Sequence, residues 1–240
     1  GNLHHEIKQY KGESGAAGGI NMRTVRVKIC GITSTIDLQA ALDAGADAVG
    51  FVVNVPESPR NLSLEAAKEL MRITPVFLET VIVTVANSLN HLEKIFEELN
   101  PGTLQVHATN QIYQEVRERY PDTRLIGAIG TPQHGSLNTM DAALRAAETL
   151  DAVLLDTRLP GKYGGTGKTH DWNLSRRVRD AIYPIPLILA GGLTPENVKQ
   201  AIKSVEPYAV DVSSGVEASP GVKDREKVYR FVKNAKEVER

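Results

Sequence analysis

Three groups of residues in this chain have types and spacing that could do chemistry: a cysteine ending one strand pattern, an aspartate ending another, and a pair of glycine-serine turns. In VRVKIC (25–30) the alternation puts Val25, Val27 and Ile29 on one face and Arg26, Lys28 and Cys30 on the other. Lys28 stands roughly 6 to 7 Å from Cys30 along an extended strand. A cation so placed favours the thiolate, the form of cysteine that takes a proton. A lone strand cysteine also serves as a small buried hydrophobe, but its position at the strand end, followed by Gly31, keeps the base role open. Asp156 closes VLLD (153–156), where Leu154 and Asp156 share a face. A carboxyl group in an apolar opening can have its pKa raised far enough to act as a general acid; the alternative is a lysine partner or a turn cap. A thiolate base and a carboxylic acid flanking one substrate could move a proton within a sugar without metal or redox cofactor.

The two turns are LAGGLTPEN (189–197) and DVSSGVE (211–217). Gly191 and Gly192 let backbone N–H groups approach an anion, and Thr194 at the N-cap, Pro195 and Glu196 then open a helix. Ser213 and Ser214 add hydroxyls, and Gly215 precedes a short helix. Either turn alone could merely end a strand. After the last two strands of a barrel, the pair reads as a phosphate site built from backbone donors and helix N-termini. A third glycine-rich stretch, PGKYGGTGKTHDW (160–172), contains GKT but is no P-loop, because Lys162 stands where that motif requires glycine. It is read as a loop over the mouth, with Asp171 capping the next helix.

Positioning such groups together requires strands whose ends converge. Strand patterns fall at 25–30, 47–53, 79–85, 103–106, 124–129, 151–156, 186–190 and 208–212. Each precedes an amphipathic stretch, at 35–44, 63–73, 88–98, 110–119, 138–149, 171–182, 194–203 and 223–236. Eight βα pairs in this length predict a single closed (β/α)8 barrel of the TIM type, with chemistry at the C-terminal ends of the strands.

Bulk composition sets limits. The 240 residues are 41% hydrophobic, enough for one sizeable core. With 28 Lys+Arg against 29 Asp+Glu, no global field draws the chain to nucleic acid or an anionic membrane. No apolar run approaches the ~20 residues that span a bilayer. One cysteine excludes an internal disulfide and fits a reducing compartment, so a cytoplasmic location is expected. Residues 1–21 are polar, Gly-rich and aperiodic, and read as a flexible N-terminal extension or expression remnant; 22–240 is expected to be the barrel domain.

KICGIT (28–33), SPRNLS (58–63), LLDT (154–157), GGTGKTHDW (164–172), LAGGL (189–193) and DVSSGVE (211–217) together resemble the phosphoribosylanthranilate isomerases of tryptophan biosynthesis, in order and over nearly the whole chain after Met22. The resemblance implies an aldose-ketose isomerase of the ribulose-phosphate-binding barrel type, monomeric or homodimeric, acting on a phosphorylated small molecule without a cofactor or metal. It implies that Asp156 protonates the ring oxygen, that Cys30 removes the C2 proton, and that Arg60 holds the anthranilate carboxylate. It further implies that Asp211 contacts the sugar hydroxyls or Lys28, and that Gly191, Gly192, Ser213, Ser214 and Gly215 carry the phosphate. Two positions depart from the family pattern. QVHA (105–108) replaces QLHG, keeping His107, to which a role in substrate packing is assigned, and His170 stands where Phe is common. Two other readings are an isomerase of the histidine pathway, whose family carries an aspartate where this chain has Cys30, and a non-catalytic barrel that binds phosphorylated ligands.

Overall fold

The computed structural model describes residues 24–131, 136–157 and 171–238. The extension at 1–21 and most of the 160–172 loop lie outside the described residues.

Strands β1 (Arg26–Cys30), β2 (Ala48–Val53), β3 (Glu79–Val85), β4 (Thr103–His107), β5 (Arg124–Thr131), β6 (Ala152–Thr157), β7 (Leu187–Leu189) and β8 (Ala209–Val212) pair in parallel, each with its neighbours in sequence. β1 pairs with both β2 and β8, which closes the ring. The helices α1 (Thr35–Ala44), α2 (Leu64–Ile73), α3 (Asn90–Leu99), α4 (Asn110–Arg119), α5 (Ser136–Ala147), α6 (Trp172–Ile182), α7 (Val198–Val205) and α8 (Arg225–Lys236) alternate with them. Period-2 runs give the strands, and side-chain caps start five of the helices. The oxygens of Ser34, Ser63, Thr109, Asp171 and Asp224 each accept from a backbone N–H of the first turn.

The apolar residues divide between two cores. Val25, Val27 and Ile29 join Phe51, Ile82, Leu104, Leu155 and Phe231 between strands and helices. Cys30 joins Val52, Val81, Val83, Ile126, Leu154 and Ile188 inside the ring. The alternation read along β1 therefore holds: valines and isoleucine face the helices, and Lys28 and Cys30 face inward. α8 packs against β1 and α1, fastening the end of the chain to its first strand. Phe231 of α8, with no exposed surface, belongs to the core between strands and helices. Phe231→Ala is expected to lower the unfolding free energy by about 3–5 kcal/mol, seen as a lower urea midpoint at unchanged slope.

Three features differ from the expected outline. α7 becomes regular only at Val198, because Thr194 and Asn197 first cap one another: the Thr194 N–H donates to Asn197 Oδ1 at 2.8 Å and the Asn197 N–H to Thr194 Oγ1 at 3.3 Å. The short helix after Ser213 is one 3₁₀ turn, Ser214–Val216. Two small additions decorate the C-terminal face: Asn61–Leu62 pairs with the end of β2, and Glu217–Ser219 forms a hairpin with Val222–Lys223. No helix among the described residues is long and apolar enough to cross a membrane.

Candidate active site

The last inward residue of β1 is Cys30, opposite Gly50 of β2 in register. A Cβ built on Gly50 would lie 2.7 Å from the Cys30 sulfur and 3.1 Å from Lys28 Nζ, so thiol and ammonium are neighbours on the inner wall. Lys28 Nζ donates to Asp211 Oδ1 at 2.7 Å, across the β1–β8 pairing that sets these two residues side by side. Of the two contacts expected for Asp211, the one to Lys28 is present. Both partners are buried, and a buried charge needs such a partner.

These charges set the protonation of the thiol. Burial pulls Lys28 toward its neutral form, but attraction to Asp211 and then to Cys30 outweighs it, holding the ammonium above its usual range. Burial pushes the Cys30 thiol up; Lys28 opposes the rise, Asp211 adds to it, and Lys223 opposes it. The balance is a raised pKa, so Cys30 in the free protein is a thiol at neutral pH. Its 7% exposure leaves a small opening to reagents. The rate of alkylation by iodoacetamide should keep climbing with pH beyond 9.0, the ordinary value. A plateau reached below about pH 8 would contradict the raised thiol.

Asp156 is the penultimate residue of β6, half-buried, two residues after the inward Leu154. β7 and β8 separate β6 from β1 around the ring, so acid and thiol rise from different sides of one mouth. His107 ends β4, also half-buried, and Gln105 below it buries an Oε1 that has no hydrogen-bond partner among the described residues.

The residues of the two glycine-serine turns converge. Gly191 and Gly192 have φ of 89° and 68°, left-handed conformations that glycine alone adopts freely. A Cβ on Gly215 would lie 1.9 Å from the Leu193 carbonyl oxygen, so the loops after β7 and β8 touch and only glycine fits between them. Gly191, Gly192, Ser213, Ser214 and Gly215 all remain partly exposed.

Arg60 reaches the same mouth from the segment after β2. A Cβ on Gly31 would meet Arg60 Cδ at 2.4 Å and Ser213 Oγ at 2.9 Å, which places arginine and serine over the end of β1. Its guanidinium is already engaged: Nε donates to Glu217 Oε2 at 2.8 Å and Nη2 to Glu217 Oε1 at 2.5 Å. A guanidinium has five N–H donors, so the two on Nη1 and the second on Nη2 remain for another carboxylate, which would be met end-on. Neither Glu217 nor its other partner Lys223 stood out in the sequence. The signal available was two opposite charges six residues apart flanking a glycine turn directly after the second glycine-serine turn.

The family model for N-(5'-phosphoribosyl)anthranilate (PRA) isomerase matches residues 27–234. The chain belongs to the phosphoribosylanthranilate isomerase family. A relative from Haloferax volcanii, named N-(5'-phosphoribosyl)anthranilate isomerase, is 43% identical over 212 residues, covering 88% of this chain and 93% of its own length. The crystal structure of phosphoribosyl anthranilate isomerase from Thermotoga maritima matches with a TM-score of 0.77 at 40% identity, covering 89% of this chain and 100% of that one. A further phosphoribosylanthranilate isomerase structure, in complex with reduced 1-(o-carboxyphenylamino)-1-deoxyribulose 5-phosphate, matches at 0.74 and 37% identity with the same coverage.

Proposed function

We propose that this chain, as one barrel domain over residues 22–240, converts N-(5-phosphoribosyl)anthranilate to 1-(o-carboxyphenylamino)-1-deoxyribulose 5-phosphate. Asp156 is the general acid and Cys30 the general base. The observation that carries the assignment is the thiol beside the Lys28–Asp211 pair, on the inner wall at the catalytic end of β1. In the first step Asp156 gives its proton to the furanose ring oxygen, the C1–oxygen bond breaks, and the anthranilate nitrogen lone pair forms a protonated Schiff base. In the second, Cys30 takes the C2 proton, and the electrons of that bond form C1=C2 and neutralise the nitrogen. A proton then returns to C1 as the C2 hydroxyl gives up its own, which leaves the ketone at C2 with no net gain or loss of protons.

The raised thiol pKa fits this order. Ring opening creates a cation next to C2 that makes its proton more acidic. Added to Lys28 and Lys223, the same positive charge opposes the burial that keeps Cys30 protonated. Proton removal is thus favoured only after the ring has opened.

Arg60 takes the anthranilate carboxylate on its end-on edge, His107 packs against the substrate, and Asp211 fixes Lys28. Gly191, Gly192, Ser213, Ser214 and Gly215 hold the phosphate. All these groups come from one chain, so a monomer or each half of a homodimer suffices. We place the protein in the cytoplasm on its single cysteine. The test is to follow the fluorescence of freshly made phosphoribosylanthranilate with the purified chain. Its loss at a rate proportional to enzyme is expected; loss no faster than the spontaneous decay would remove the assignment.

A further inference from the structure

Arg60, Glu217 and Lys223 form a buried cluster of two cations and one anion whose side chains are only 10%, 5% and 0% exposed. The Lys223 ammonium donates to Glu217 Oε2 at 3.1 Å, to the Ser213 carbonyl oxygen at 3.1 Å and to Ser213 Oγ at 3.4 Å, which occupies all three of its hydrogens. The Gly221 N–H adds a donor to Glu217 Oε2 at 3.3 Å. The hairpin that carries these residues is tied to the region after β1, through the Lys223 N–H to Asp37 Oδ2 at 3.0 Å and Thr33 Oγ1 to the Gly221 carbonyl at 2.6 Å.

We propose that Glu217 and Lys223 are positioning residues, Glu217 orienting the Arg60 guanidinium toward the substrate carboxylate and Lys223 joining that carboxylate holder to Ser213 of the phosphate loop. The inference rests on the reading that Arg60 binds the anthranilate carboxylate. Two observations support it beyond packing. First, Glu217 grips the Nε–Nη2 edge of Arg60, which fixes the plane of the guanidinium and turns the remaining edge to a second acceptor. Second, one carboxylate, Glu217, serves two cations, and burial together with Arg60 pushes the Lys223 ammonium below its usual range. Two cations sharing one buried anion are under-compensated, and a second carboxylate arriving at Arg60 relieves that strain. The attraction of Arg60 and Lys223 overcomes burial and keeps the Glu217 carboxyl below its usual range, so the anion that orients Arg60 persists through neutral pH. Because Lys223 bonds both the main chain and the hydroxyl of Ser213, the carboxylate end and the phosphate end of the substrate share one frame.

The experiment compares the full-length protein with its Arg60→Lys, Glu217→Gln and Glu217→Asp variants on two substrates, phosphoribosylanthranilate and N-(5-phosphoribosyl)aniline, which lacks the carboxylate. Glu217→Gln places an amide N–H₂ against a guanidinium N–H. It should raise KM for phosphoribosylanthranilate about 10- to 100-fold with a much smaller change in kcat, the range for losing a hydrogen bond to a charged group. The aniline substrate, which has no carboxylate for Arg60 to hold, should show a far smaller rise in KM, since Lys223 keeps its two bonds to Ser213. Glu217→Asp keeps the charge but withdraws it from the fork; it should show the same selectivity, and serves if the glutamine variant does not fold. An equal loss on both substrates makes Glu217 merely structural and overturns the inference. If Arg60→Lys raises KM for phosphoribosylanthranilate but neither Glu217 variant does, the inference fails while the Arg60 reading stands. If Arg60→Lys leaves KM unchanged, the reading beneath it fails.

Discussion

Cys30→Ala is expected to lower kcat by about 10²–10⁴-fold with little movement in KM, the range for loss of one positioned proton-transfer group. The contacts proposed to bind substrate do not pass through the sulfur. Lys28 stays paired with Asp211, Arg60 with Glu217, and the turns after β7 and β8 keep their mutual contact. Alanine fits the inner core that Cys30 shares with Val52 and Val83, so the barrel should remain folded. What disappears is the thiol proposed to accept the C2 proton. Cys30→Ser sharpens the test, because a hydroxyl keeps the shape but ionises far less readily than a thiol; it should be nearly as slow as alanine. Steady-state rates at saturating substrate decide the matter. Turnover near wild type in either variant would move the base elsewhere and leave Cys30 a core residue. Binding that survives with no turnover in the wild-type chain itself would instead favour the ligand-binding barrel.

How much of this was visible in the sequence depends on the range of the interaction. Strand and helix periods are local, and they placed all eight βα pairs within a few residues. The same alternation turned Lys28 and Cys30 inward, although lysine is an unusual residue for an interior. Its partner is 183 residues away and becomes a neighbour only because the ring closes β8 onto β1. Arg60 and Glu217 are separated by 157 residues, and their meeting requires two irregular pieces, the Asn61–Leu62 pairing and the hairpin after the 3₁₀ turn. Neither has a repeating pattern to read. The start of α7 is a subtler case. Thr194 is a helix-initiating residue, as its type suggested, but the reciprocal bond with Asn197 consumes a turn before regular helix begins. Residue type announced the cap; only geometry showed how far the cap extends.

Asp156→Asn is the complementary test, with an expected loss in kcat of about 10²–10⁴-fold at nearly unchanged KM. The amide has the size of the carboxyl group and can still donate a hydrogen bond to the ring oxygen, so the substrate should dock much as before. It cannot surrender a proton as the C1–oxygen bond breaks, and the leaving oxygen would have to depart as an alkoxide or wait for water. Ring opening precedes proton removal at C2, so the Schiff base never accumulates in this variant and Cys30 has no acidified proton to take. The double variant Cys30→Ala/Asp156→Asn should therefore lose much less than the product of the single losses, because the second substitution acts on a path the first has already closed. Fully multiplicative losses would mean that the two residues act independently, and the sequential scheme would fall. A rise in KM with kcat preserved in Asp156→Asn would recast Asp156 as a sugar-binding group, leaving the protonation of the ring oxygen to another donor at the mouth.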